Sequence, residues 1–190
     1  MSQLFLETPE QDKTAHERMC ESSEWYTPPS IAHDAHIVMG GIDLDPASCE
    51  TANRVICASQ FYTKEQDGLA LANKWNWRVF LNPPSPPGPW WKRLVEDHLA
   101  GLVTAAIYVA YSIEQLQQIQ AWTPNAPLWD FPMCIPRKRV RYLQESEQLG
   151  LDGVRDLVPG AQPTHASAII GIGVDRHLFR ETFSRLGMCR

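Results

Sequence analysis

Eight residues constrain this chain more than any others: Arg78-Val79-Phe80-Leu81-Asn82-Pro83-Pro84-Ser85. A short apolar run with β-branched and aromatic members has the character of a buried strand. The two prolines, which lack the N–H that a ladder needs, stop it at Asn82. Asn82 therefore belongs at the C-terminal tip of a strand, the edge at which open α/β sheets bind their ligands. Taken alone, Asn-Pro-Pro is no more than a turn, so the neighbouring segments have to decide.

Those segments alternate between helix and strand signals. Thr27 is placed to cap a helix that opens with Pro28-Pro29, repeats Ile31, Ala35 and Val38 at helical spacing, and ends at Gly40-Gly41. Ile42-Asp43-Leu44-Asp45 is a short strand stopped by Pro46, and residues 47–53 look helical. A second short strand is expected at Gln60–Thr63, a turn at Asp67-Gly68, and a helix from Trp90 to Leu99 after the stiff, non-helical Pro86-Pro87-Gly88-Pro89. Leu102–Val109 is a continuous apolar run, as in a strand buried on both faces, and Ser112 caps a helix over Ile113–Ala121. Such alternation predicts an α/β fold with a mostly parallel sheet and helices on both faces. Beyond Trp122 the pattern becomes antiparallel in character. Strands at Phe131–Ile135 and Val140–Leu143 flank a basic turn, a polar loop runs from Gln144 to Gln162, and a last strand, Ser167–Ile172, precedes a terminal helix from Arg176 to Leu186. Residues 1–24 are polar and aperiodic, expected as a flexible arm, which leaves 25–190 as a single domain with no separate target-recognition domain.

Composition narrows the function classes. At 190 residues, 44% hydrophobic and 21% charged, the chain has the makeup of one soluble globular domain. It shows no membrane-length apolar run and no signal-peptide layout, so a cytoplasmic protein is expected. The five cysteines are scattered with no Cys-x-x-Cys pair, and His33 and His36 have no partner at metal spacing, so no metal site is expected. A net charge of −5 argues against a protein that coats nucleic acid, which leaves contact to the local patch Arg137-Lys138-Arg139-Val140-Arg141. That patch is equally consistent with a solvated hairpin. Neither a Gly-x-Gly-x-x-Gly nor a phosphate-loop motif is present. The two carboxylates near the first strand tip, Asp43 and Asp45, suit a ligand with an amino group or a ribose diol, and suit helix capping as well.

Four segments in order, Trp-Tyr-Thr-Pro-Pro at 25–29, Asp-Leu-Asp-Pro-Ala-Ser at 43–48, Phe-Tyr-Thr-Lys-Glu-x-Asp-Gly-Leu at 61–69 and Val-Phe-Leu-Asn-Pro-Pro at 79–84, resemble the phage-type DNA N6-adenine methyltransferases (Dam-like). Ser-Ile-Glu-Gln-Leu at 112–116, Cys-Ile-Pro-Arg-Lys-Arg at 134–139 and Pro-Thr-His-Ala at 163–166 resemble one branch of that family. The resemblance implies a Rossmann-like fold, S-adenosylmethionine as methyl donor and DNA as partner, with an oligomer possible. It implies that Tyr26, Thr27 and Pro28 border the donor's methionine end, that Asp43 and Asp45, with Pro46 and Ala47, meet its amino or ribose groups, and that Asp67 meets its adenine. Asn82, Pro83, Pro84 and Ser85 would form the catalytic tip. The family pattern carries an aromatic residue after the prolines to stack on the flipped base; Ser85 stands there instead, so either another aromatic stacks, with Trp90 or Trp91 nearest, or base binding is weak, and at least one of the two tryptophans is equally expected to pack in the core beneath its helix. Arg137, Lys138, Arg139 and Arg141 would contact phosphates.

Overall fold

The computed structural model describes residues 25–150, 155–161 and 165–190, so the arm expected at 1–24 lies outside the described residues. The elements in chain order are α1 (Pro29–Met39), β1 (Leu44–Asp45), α2 (Glu50–Ile56), β2 (Gln60–Phe61), β3 (Trp77–Leu81), α3 (Gly88–Leu99), β4 (Val103–Ala110), α4 (Ile113–Gln120), β5 (Met133–Pro136), β6 (Leu143–Leu149), β7 (Arg155–Pro159), β8 (Ala168–Ile172), α5 (Arg176–Phe183) and β9 (Gly187–Cys189).

Strands β3 and β4 show why the apolar runs are continuous. Val79 and Leu81 of β3, with Ala106, Tyr108 and Ala110 of β4, bury into one core beneath α3 and α4; Phe80, Ile107 and Val109 bury into a second core beneath α1, α2 and α5. A strand covered on both faces has no polar side to alternate with. The sheet order is β2-β1-β3-β4-β8-β5-β9, with parallel pairing from β2 through β4 and antiparallel pairing across β8 and β9. Because β8 runs against both β4 and β5, the last two share one direction. The result is a Rossmann-like α/β/α arrangement, mostly parallel, with an antiparallel C-terminal part, as the sequence led one to expect. It also puts the C-terminal ends of β2, β1, β3, β4 and β5 in a row along one edge.

Local chemistry differs from expectation in several places. The cap of α1 is Pro28, not Thr27, and makes no side-chain hydrogen bond; its other end closes on Gly40 at φ 72°. Cys49 caps α2 through its sulfur, which accepts from the Ala52 N–H at 3.4 Å. The helix after the prolines begins at Gly88 with Pro89 inside its first turn, where a missing N–H costs nothing. The polar stretch expected as a loop contributes β6 and β7, a separate two-stranded antiparallel sheet, while its residues 151–154 and 162 lie outside the described residues, and Val140 lies before β6. These half-buried, largely polar strands carry no alternation for a sequence reading to detect. The terminal helix stops at Phe183 and the chain returns as β9. Among the described residues, no helix is long and apolar enough to cross a membrane.

The β5–β9 pairing sets Cys134 directly opposite Cys189. Met133 and Arg190 exchange both backbone hydrogen bonds, so the cysteines occupy the neighbouring close, non-hydrogen-bonded pair, where Cα atoms lie about 4.5 Å apart and a disulfide can form. Burial, followed by the neighbouring Cys189 thiol, pushes the Cys134 thiol up. A mild dithiol oxidant such as diamide is expected to link these two residues, seen as one Cys134–Cys189 peptide in a non-reducing digest. Linkage elsewhere would show that the register of β9 is different.

Candidate active site

Three chain segments meet at the row of strand tips. Leu44 of β1 stands beside Val79 of β3, so Asp45 and Asn82 end neighbouring parallel strands. Asp45 is 3% exposed. Burial lifts its carboxyl pKa to about 7, a rise only partly offset by the Ala47 N–H that donates to Oδ1 at 3.1 Å. The Ser48 hydroxyl is close enough to ease that charge but not aligned for a hydrogen bond, so its buried oxygen stays unpartnered. A buried carboxyl held near neutrality beside an unsatisfied hydroxyl is costly to the fold and is characteristic of ligand sites.

Asn82 is fixed from outside its own strand. Its Nδ2 donates to the Trp25 carbonyl at 3.3 Å, and among the described residues Oδ1 has no hydrogen-bond partner. Pro83 is buried while Pro84 and Ser85 are exposed, so the turn is anchored at one proline and open at its far side. The Trp25-Tyr26 segment is held in turn by the β6–β7 sheet: Tyr26 and Leu143 exchange backbone hydrogen bonds at 2.9 and 2.8 Å, and the Trp25 ring lies over Gly160. Tyr26 and Thr27 are both buried, Pro28 half-buried, and the Tyr26 hydroxyl reaches the Cys49 sulfur at 4.0 Å, just past the Asp45 turn.

The Asp67-Gly68 turn closes on the same place. A Cβ on Gly68 would lie 1.9 Å from the Pro46 carbonyl oxygen, so only glycine allows the two turns to touch. Trp75 locks the contact by donating Nε1–H to the Gly68 carbonyl at 2.8 Å. Asp67 itself is exposed at φ 52°, with Oδ1 accepting from Leu69 N–H at 3.1 Å.

Two expectations need correcting. Asp43 does not reach the tip. The Arg78 guanidinium grips its carboxylate with two bonds of 2.6 and 2.7 Å, holds it below the usual carboxylate range, and also bonds the Gly40 carbonyl. Asp43 is thus a brace between the α1–β1 turn and the start of β3. Neither Trp90 nor Trp91 offers a face to a base. Trp90 is 8% exposed and stacks on Trp75 at 6.0 Å, and Trp91 is fully buried, edge-on to Tyr108 at 5.0 Å with Nε1–H bonded to Thr123.

The basic turn lies on the row of tips, because β5 ends there. Arg137 through Arg141 line a concavity of about 490 Å³ together with Pro28, Ser30 and Arg185, which borders the Thr27 segment. Arg185 was not singled out in the sequence; it follows the end of α5 and is bonded to the buried Asp34. Tyr111 was missed as well, although the strand-tip logic applied to Asn82 reaches it, since it directly follows β4.

No family model matches the chain and no curated protein matches it. Among solved structures, the chain is similar to the crystal structure of tRNA (m1A58) methyltransferase TrmI from Aquifex aeolicus, at 13% identity and a TM-score of 0.42, over 79% of this chain and 70% of that one.

The two carboxylates are expected to behave in opposite ways. Folded Asp45 keeps a proton that the unfolded chain has lost between the ordinary carboxylate value and about 7, so its contribution to stability declines as pH rises through that window. Asp45→Asn should therefore raise the stability at about pH 8 by on the order of a few kcal/mol, seen as a higher melting temperature, with no gain near pH 4. Asp43→Ala should lower the melting temperature by about 3–6 °C through loss of the charge-assisted bonds. Calorimetric scans of both variants across pH check the pair.

Proposed function

We propose that this chain is an S-adenosylmethionine-dependent methyltransferase acting on the N6 amino group of adenine in DNA. The observation that carries the reading is the juxtaposition on adjacent strand tips of an asparagine amide, held by its nitrogen and with no partner for its oxygen among the described residues, and a buried carboxyl whose pKa is raised to about 7. The order of sequence segments that resembles the phage-type adenine methyltransferases is met by a fold that gathers those segments at one edge.

The exocyclic amine of adenine is a poor nucleophile because its lone pair is delocalised into the ring. Asn82 Oδ1 and the Pro83 carbonyl oxygen each accept one of its N–H bonds, which favours a pyramidal nitrogen with the lone pair turned out of the ring plane. Pro83 and Pro84 stiffen the turn, so the acceptors need no reorganisation when charge develops on the amine. The donor set at the neighbouring tip suits the cofactor: the Asp45 carboxyl and the Ser48 hydroxyl fit an amine or a ribose diol. Tyr26, Thr27 and Pro28 line the approach from the other side, with Pro46 and Ala47 shaping the turn and Asp67 bordering it. When bound, S-adenosylmethionine supplies a methyl group activated by its sulfonium. The base reaches the tip only when flipped out or single-stranded. Arg137, Lys138, Arg139 and Arg141 position the nucleic-acid backbone beside it.

DNA co-expressed with the protein and digested to nucleosides is expected to contain N6-methyladenine by mass spectrometry. N4-methylcytosine would move the reading to another exocyclic amine, and no methylated base would overturn it. Asn82→Ala should lower kcat roughly 10²- to 10³-fold while S-adenosylmethionine binding by calorimetry is retained; methylation at the native rate would sink the mechanism.

A further inference from the structure

Replacement of the expected aromatic by Ser85 and burial of both tryptophans leave the tip without the stacking face that an extruded base needs. Among the exposed aromatic residues, Trp25 touches Asn82 and Tyr111 ends the strand next to it, while Trp122 packs on Gly88 at the start of α3. Trp25 is 44% exposed, but its ring is laid over Gly160 and its carbonyl holds the Asn82 amide, so it serves as a brace. Tyr111 is 43% exposed and follows β4, the strand paired to β3 with Leu81 beside Tyr108. On the row of tips it lies between Asn82 and the basic turn. Three strand spacings separate β3 from β5, about 14 Å, which is short enough for one strand of nucleic acid to span both.

The backbone of Tyr111 is rigidly held. Its N–H donates to Gln115 Oε1 at 3.1 Å and its carbonyl accepts from the Ser167 hydroxyl at 3.2 Å, which in turn meets the Tyr142 hydroxyl at 3.1 Å. The His165 ring meets the Tyr111 ring nearly at right angles, with centroids 5.7 Å apart, and this contact occupies at most one face. The Gln115 Nε2 beneath is buried without a partner, so the tip contains an unsatisfied donor. A half-exposed phenol ring on a firmly held backbone, at the tip of the strand next to the one that ends at Asn82, is suited to base stacking.

We propose that Tyr111 is the base-stacking residue of this site, the surface on which the purine ring of the target nucleotide lies while its amine meets Asn82. The inference rests on the methyltransferase reading above and adds to it where the base is held. Tyr111 replaces in space the aromatic that Ser85 does not provide. The ring face is what matters, and the hydroxyl is dispensable.

The test is the KM for DNA in methyl transfer from tritiated S-adenosylmethionine, compared for wild type, Tyr111→Phe, Tyr111→Leu and Tyr111→Ala, with melting temperature and calorimetric cofactor affinity as controls. Tyr111→Phe should match wild type, and Tyr111→Ala and Tyr111→Leu should raise the KM roughly ten- to a hundredfold with cofactor affinity unchanged. Adding Ser85→Tyr to Tyr111→Ala should restore part of the loss. A Tyr111→Ala enzyme with the wild-type KM, or a Tyr111→Leu enzyme equal to Tyr111→Phe, overturns the stacking role while leaving the methyltransferase reading intact. Wild-type protein that methylates no base overturns both, and that outcome is separate because it is visible before any variant is made.

Discussion

The double burial of β3 and β4 is the constraint from which the site follows. Val79, Phe80 and Leu81, and Ala106 through Ala110, can be withdrawn from water on both faces only if helices cover the sheet on both sides. Parallel neighbours joined by crossover helices then necessarily end at the same edge. Pro83 and Pro84 stop β3 there because they offer no N–H to continue the ladder. Asn82 is consequently delivered to the one border of the sheet where its side chain is not required by packing.

Three further contacts convert that border into a site. Asn82 Nδ2 on the Trp25 carbonyl ties residues 57 apart in sequence. Gly68 against the Pro46 carbonyl brings the Asp67 turn onto the Asp45 turn, and the β6–β7 sheet clamps Trp25 and Tyr26 from outside. The Asp45 carboxyl is the cost of this assembly, since it is buried without a cation and is raised toward neutrality. Asp43 shows the opposite case: two residues earlier, the Arg78 guanidinium and N–H engage both of its carboxylate oxygens. Two identical side chains two residues apart thus end in opposite environments according to what stands opposite each of them.

The aromatic residues divide in the same way. Trp75 and Trp90 stack on one another, and Trp75 also reaches Gly68, so the tryptophans that flank the central strand hold the site together from behind. Tyr111 and Trp25 remain at the surface. Composition does not separate these cases, since a tryptophan at helical spacing is compatible with either side of a helix until the sheet beneath it is known.

The sequence by itself determined the alternation of strands and helices, the apolar runs of the central strands and the stop at Asn82. Each depends on interactions within a few residues: side-chain periodicity, proline's missing donor, a cap. It also marked Asp45 and the Asp67-Gly68 turn, because both sit at local breaks. Only the tertiary structure decided that Asp43 faces Arg78, that Trp90 and Trp91 point inward, that Cys134 meets Cys189, and that Tyr111 shares an edge with Asn82 and the basic turn. Those relations join residues far apart in the chain through strand order and register, and no local pattern encodes which strands become neighbours.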